Sequence, residues 1–335
     1  MAGVFKAVFV ITEGTRMRIP ILFFVAACAL CLRAAPTLAD TALRDISGTG
    51  WQLAGIQSMN YTVSTPEEGG RYRLIFGIDG SFSVEAGCNR ATSMLSVFDP
   101  PRLQFSDLAA TRALCGPESL SQRFLAELGW VRSYVYRDNN LYLATMADGS
   151  IMEFVPMPAD EAAATVDTLS LVTQDVDALR SIILSRLLDE YAAAAEVTVG
   201  DAEIAGYLAA MDKHLREDLG EDYDDGSSLN AEEKAESDRM RRRMAEATIR
   251  SWKTNRALYQ QYGGRIIYQQ LGPEPLDAYL AFLQEAHEAG RFSIHQAELE
   301  APFWAFFRDE ERHSFMPKGS TDEARAFATP PWASK

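Results

Sequence analysis

A chain of 335 residues with 47% apolar and 10% aromatic side chains has the composition of a globular protein of about two domains, not of a disordered one. Its formal net charge of −15 argues against nucleic acid or an anionic membrane as partner, because both repel an acidic protein.

The first 39 residues read as a leader. Arg18 stands before an apolar run from Ile19 to Leu32, and Thr37-Leu38-Ala39 followed by Asp40 fits signal-peptidase cleavage. The run is shorter than the roughly 20 residues a membrane span needs. Val25-Ala26-Ala27-Cys28 also resembles a lipobox, so the alternatives are a protein released into the periplasm or beyond, and a lipoprotein anchored at Cys28. Membrane attachment is expected only in the second case.

From Asp40 to about Pro158 the hydrophobic period is two. Tyr72, Leu74 and Phe76 alternate with Arg71, Arg73 and Ile75; Asp79-Gly80 turns the chain, and Phe82 and Val84 continue the pattern. Trp51-Gln52-Leu53, Leu141-Tyr142-Leu143 and Ile151–Phe154 read as further strands. One helix is expected between them, opened by Pro117 and Glu118, with Phe124, Leu128 and Val131 at i, i+4 and i+7. This predicts an α+β domain, a curved antiparallel sheet with one packed helix, over residues 40–155. Residues 156–168, with two prolines and no apolar period, are expected to be a linker.

Beyond the linker the period becomes 3.6, which predicts an all-α domain over residues 169–316. Leu179, Ile182, Ile183 and Leu187 form one stripe. Ile204, Tyr207, Leu208, Met211 and Leu215 form a second, with Asp201 as the N-cap. A third helix starts after Asn230 and stops at Gly263-Gly264; a fourth follows Pro275, and a short aromatic-rich one falls within 301–315. The tail, residues 317–335, is expected to be loose.

Residues 47–155 resemble the META domain family (HslJ-like) on Trp51, Gly87-Cys88-Asn89, Thr111-Arg112 and Cys115, with Phe82, the helix containing Phe124 and the closing Leu141-Tyr142-Leu143 in the family's order. After Asn89 this chain departs from the family, carrying "RATSMLSVF" where a glycine-containing step is usual. The resemblance implies a curved sheet around a helix, similar to a secretion-system pilotin, and an envelope protein linked to stress or antibiotic tolerance. It implies no catalytic residues. In the second half, "VTVGDAEIAGYL" (197–208) faintly resembles the N-terminal helical segment of SurA-type exported chaperones, and residues 252–279 resemble uncharacterised exported bacterial proteins.

Once a leader carrying Cys28 and Cys31 is removed, only Cys88 and Cys115 remain. In an oxidising compartment two cysteines favour a disulfide, with a pair of unbridged buried thiols as the alternative. A metal is disfavoured there, since no ligand lies at suitable spacing. Elsewhere, His214, His287, His295 and His313 contain no i, i+4 pair. The stretch 221–232 matches a calcium loop at Glu221, Asp225, Gly226 and Glu232 but puts Tyr223 where an oxygen ligand is required. Arg239 and Arg241–Arg243 are flanked by Glu232, Glu233, Glu236 and Glu246, which predicts a salt-bridged helix face. The expectations are therefore no catalytic, cofactor-binding or metal-binding residue, and a non-enzymatic envelope protein whose helical half binds a protein partner or client. The alternatives are a lipid or small apolar ligand held against Leu74, Phe76, Phe82 and Phe105 on the sheet's concave face, and a hydrolase or isomerase of unrecognised type.

Overall fold

A computed structural model describes residues 46–97, 101–146, 149–220, 223–224, 226–269 and 272–333. The expected leader and Cys28 lie outside the described residues, as do Glu221 and Asp225 of the acidic stretch.

The strands of the first half are β1 (Gly50–Gln57), β2 (Val63–Ser64), β3 (Tyr72–Phe76), β4 (Ser81–Ala86), β5 (Asn89–Val97), β6 (Leu103–Phe105), β7 (Ala109–Ala110), β8 (Val131–Arg137), β9 (Asn140–Thr145) and β10 (Ile151–Pro156). They form one antiparallel sheet in the order β6-β5-β4-β3-β1-β10-β9-β8, with β2 on β1 and β7 on β5. The two ends approach each other: Arg102 bridges Ser133, and Tyr134 N–H donates to Pro101 O at 2.9 Å. The sheet is thus nearly a barrel, which removes most of its exposed edge. Alternation places Tyr72, Leu74, Phe76, Phe82 and Val84 inward and buried, because each strand has one face in the core.

Helix α1 (Ser121–Gly129) runs through this sheet and fills it. Phe124 and Leu128 are fully buried, Phe124 contacts Tyr72 and Phe154 with ring centroids 6.0 Å from each, and Phe82 stacks on Phe105 at 4.2 Å. The concave face expected to hold an apolar ligand is occupied by the protein's own rings, which overturns that alternative. Val131, expected as the third helical contact, instead opens β8 and points inward from the sheet.

The expected linker is structured. A 3-10 turn (Ala159–Glu161) leads into β11 (Ala164–Val166), which turns at Asp167 with φ 50° and pairs with β12 (Leu169–Leu171). On its other edge β11 pairs with β15 (Phe292–Ile294), far along the chain. Three-residue strands are too short to show a period, and their partner is distant, so composition alone suggested a tether.

The second half is helical: α2 (Val176–Ala194), α3 (Asp201–Leu219), α4 (Ala231–Tyr262), α5 (Leu276–Glu288), α6 (Ala297–Arg308) and the short α7 (Thr321–Ala326). This is the helical half expected, with β13 (Ile267–Gln269) and β14 (Gly272–Glu274) added as a separate two-stranded ribbon. Asn230 caps α4 by accepting from Glu232 and Glu233 N–H, and Gly263 at φ 67° ends it. The N-cap of α3 is Gly200, with Asp201 the first helical residue. The tail is packed rather than loose: Phe327 is buried against Tyr259, and Trp252 Nε1 donates to Ala326 O at 3.1 Å.

One hydrophobic core runs from Trp51 in β1 to Phe307 in α6, so the halves are joined. Thr49 bridges Leu171, and Val172 N–H donates to Gly48 O at 2.8 Å. Glycine is needed at this junction. A Cβ on Gly48 (φ 71°) would lie 2.6 Å from Ile182, and one on Gly50 would lie 2.4 Å from Met157.

Candidate functional site

Three features outside the filled barrel interior are candidates: the cysteine loop, one pole of the barrel and the α3–α4 pair. At the first, Cys88 and Cys115 form a disulfide with Cα atoms 5.7 Å apart. Beside it the buried Asn89 amide donates to Ala113 O (3.1 Å) and Ser121 Oγ (3.0 Å), and its oxygen accepts from Ala113 N–H (2.7 Å) and Thr111 Oγ1 (3.0 Å). Thr111 also accepts from Arg90 N–H, whereas Arg112 is exposed. Gly87, at φ 64°, leaves room for the Tyr72 hydroxyl, which accepts from Leu120 N–H at the start of α1. Trp51 is buried, and its indole donates to Thr49 at the junction between halves. These residues close a loop, seat a helix and join two units.

At one barrel pole, exposed Met59, Tyr61, Val63, Trp130, Met146 and Ile151 surround a polar floor. Pairing of Gln57 with both Val63 and Ile151, and the bond from Met146 N–H to Trp130 O, bring them together. In the floor Arg123 donates to Ser58 and Ser64 at 2.7 Å each and lies 3.6 Å from Glu127, which accepts from Ser150 Oγ at 2.6 Å. A separate cleft of about 510 Å³ lies between the halves, lined by Ile78, Met94, Ile182 and Ser185 among others.

Helices α3 and α4 leave the common core as an antiparallel pair. Of the α3 stripe only Ile204 is buried; Tyr207, Leu208, Met211 and Leu215 are half-covered. Along α4 burial begins at Ala245, so residues 231–244 contain no buried side chain. Ion pairs hold the two helices: Arg241 to Asp212, Arg242 to Asp201, and Lys253 to Glu203 at 2.6 Å. Near the base a groove of about 250 Å³ lies between Gly206, Tyr207 and Ala210 on α3 and Ile249 and Trp252 on α4, beside Trp332 of the tail.

The family model for the META domain matches residues 44–159. Those residues are a META domain. The rest of the chain lies outside that match, and no curated protein matches the chain. Among solved structures, a protein from Burkholderia xenovorans determined by NMR is 19% identical, covering 35% of this chain and 87% of that one with a TM-score of 0.30. A DUF4847 family protein from Bacteroides vulgatus is 11% identical, covering 34% and 95% with a TM-score of 0.27. The disulfide and Asn89 lie inside the META domain; the α3–α4 pair lies outside it.

Other sequence candidates are dispersed. His287 and His313 face the backbone oxygens of Phe292 and Phe306, and His295 faces Thr165. Among the described residues no three His, Cys, Asp or Glu side chains converge on a metal position. Within the basic cluster Arg239 and Arg243 pair with Glu236, while Arg241 and Arg242 reach across to α3. The dense rings of α6 divide: Phe303 and Phe307 are buried, Trp304 packs on Phe292, and Phe306 lies between the guanidinium groups of Arg180 and Arg312. Asp177, hydrogen-bonded by Arg180, is held below the ordinary carboxylate range.

Sequence reasoning missed Glu274, at the end of β14. Burial pushes its carboxyl up to about 7, and the neighbouring Tyr279 donates to Asn255 rather than to it. No local pattern marks Glu274, which ends a strand too short to show a period.

Proposed function

We propose that this is an exported, non-enzymatic envelope protein in which the META domain braces a helical unit that holds a protein partner or an unfolded client. The observation that carries this reading is the α3–α4 pair: an amphipathic stripe left half-covered on helices of 19 and 32 residues, about 28 and 48 Å long at 1.5 Å per residue. A half-covered apolar stripe on a charged, salt-bridged frame is suited to transient binding of apolar segments. The leader pattern and the Cys88–Cys115 disulfide support export, because disulfides persist in oxidising compartments. The stress link rests on the META family resemblance.

The test is light scattering of a thermally aggregating client with the purified protein, beside a variant with Leu208, Met211 and Leu215 changed to serine. Suppression by the wild type and its loss in the variant are expected. Equal scattering with and without the wild type, together with no cross-linked partner in envelope extract, would overturn the proposal.

A further inference from the structure

We infer that the groove at the base of α3–α4 is a peptide-binding site for a proline-led segment bearing an aromatic side chain, and that the tail occupies it as an internal competitor. The inference rests on the partner-binding reading above and names the chemistry of the ligand. Its ground is an occupant already visible: Trp332, on a Pro330-Pro331-Trp332 turn, sets its ring edge-on to Tyr207 at 5.2 Å and to Trp252 at 5.9 Å.

Two features distinguish this contact from ordinary core packing. First, the tail's firm anchor comes earlier, at Phe327. Ala328, Thr329 and Pro331 are exposed, and the half-buried Trp332 packs only on the two small clusters around Trp252 and Ile249, so release of its ring would leave the main core intact. Second, the ring does not fill its site, since about 250 Å³ remains beside it. Gly206 contributes to that room, because a Cβ there would meet nothing within 4 Å.

The lining also states what the groove selects. Its charged groups are already paired: Lys253 Nζ donates to Thr198 O and Glu203, and Glu203 accepts from Gly200 N–H at 2.9 Å. What remains for a ligand is aromatic and aliphatic surface, which rewards a ring on a stiff proline-led backbone with little freedom to lose. A short tether gives Trp332 an effective concentration on the order of 1 mM. If the open groove binds such a segment with a Kd of about 100 μM, the tail weakens an outside peptide roughly tenfold.

The experiment measures fluorescence polarisation of a labelled peptide of residues 328–333 with three proteins: the intact chain, the intact chain with Trp332→Ala, and a chain ending at Ala328. The last keeps Phe327 and the Ala326 carbonyl that Trp252 uses. Binding about tenfold tighter to both altered chains than to the intact one is expected, with loss of binding when Tyr207→Ala is added. Equal binding to all three, or no binding to Trp332→Ala at an unchanged melting temperature, overturns the inference. The partner-binding reading stands or falls separately: client holding without peptide binding refutes the groove alone, and peptide binding without client holding refutes the holding function alone.

Discussion

Asn89→Ala probes the cysteine loop most directly. The substitution removes two donated and two accepted hydrogen bonds between 2.7 and 3.1 Å, each worth about 1 kcal/mol net. Thr111 and Ala113 are exposed and regain water, whereas Ser121 is fully buried and does not. The expected loss is therefore about 2–3 kcal/mol, less than the full sum of four bonds. Independently, the disulfide closes a loop of sequence separation 27, worth about 3.5 kcal/mol on the chain-entropy model. Because both constraints hold the same loop, the cost of Asn89→Ala should rise by at least about 0.5 kcal/mol when Cys88 and Cys115 are serines. Urea unfolding followed through tryptophan fluorescence reads all four corners of this cycle. A cost below about 0.5 kcal/mol for Asn89→Ala in the oxidised protein would show that Asn89 does not hold the loop.

Phe124→Ala should cost about 3–5 kcal/mol by leaving a hole in the filled barrel, measured as a fall in the urea midpoint; a cost below 1 kcal/mol would mean the interior collapses around it or was never filled. For Glu274 the carboxyl sits at about 7 in the folded chain against about 4.3 when unfolded, so the folded state binds the proton more tightly. Its contribution to stability is complete below about pH 4.3 and is lost as pH rises through 7, by up to about 3–4 kcal/mol. Glu274→Gln should therefore flatten stability between pH 4.5 and 7.5 in a series of urea melts, and an unchanged slope would refute the burial argument. Gly48→Ala forces a side chain onto φ 71° and against Ile182, so limited proteolysis should cut the 156–163 segment faster than in wild type; an unchanged rate would mean that the junction tolerates a Cβ.

Much of the META domain was legible because its strands bury one face, so Tyr72, Leu74 and Phe76 state their own register. Ends of elements were legible where one residue type is required, as with Asn230 opening α4 and Gly263 closing it. Val131 misled because it satisfies both periods, being seven residues from Phe124 and also the first inward position of β8. The Asp138-Asn139 turn, with φ of 52° and 66°, uses residues that tolerate the left-handed region without glycine. In α3 the periodic stripe was visible, but periodicity reports which face is apolar and not what covers it. That limit also hid the groove, whose covering residue Trp332 lies more than 100 positions after Tyr207.

The junction makes the two halves one mechanical unit. Hydrogen bonding passes from the META sheet through the Thr49–Leu171 bridge to β12, across β11 to β15, and β15 leads into α6, whose rings pack on α2 and α5. The core follows the same route, from Trp51 and Leu171 to Leu179 and Phe303. Arg73 adds an ion pair to Glu161 at 2.5 Å, inside the segment expected to be a free tether. A flexible linker would let the META domain and the α3–α4 pair meet a partner independently. The continuous core instead reaches the base of α4 at Leu258, so the exposed pole and the base of the α3–α4 pair keep one spacing. On the proposed partner-binding reading, a partner touching both surfaces would pay no ordering cost for the protein between them, and the META domain would act as a brace without binding anything itself.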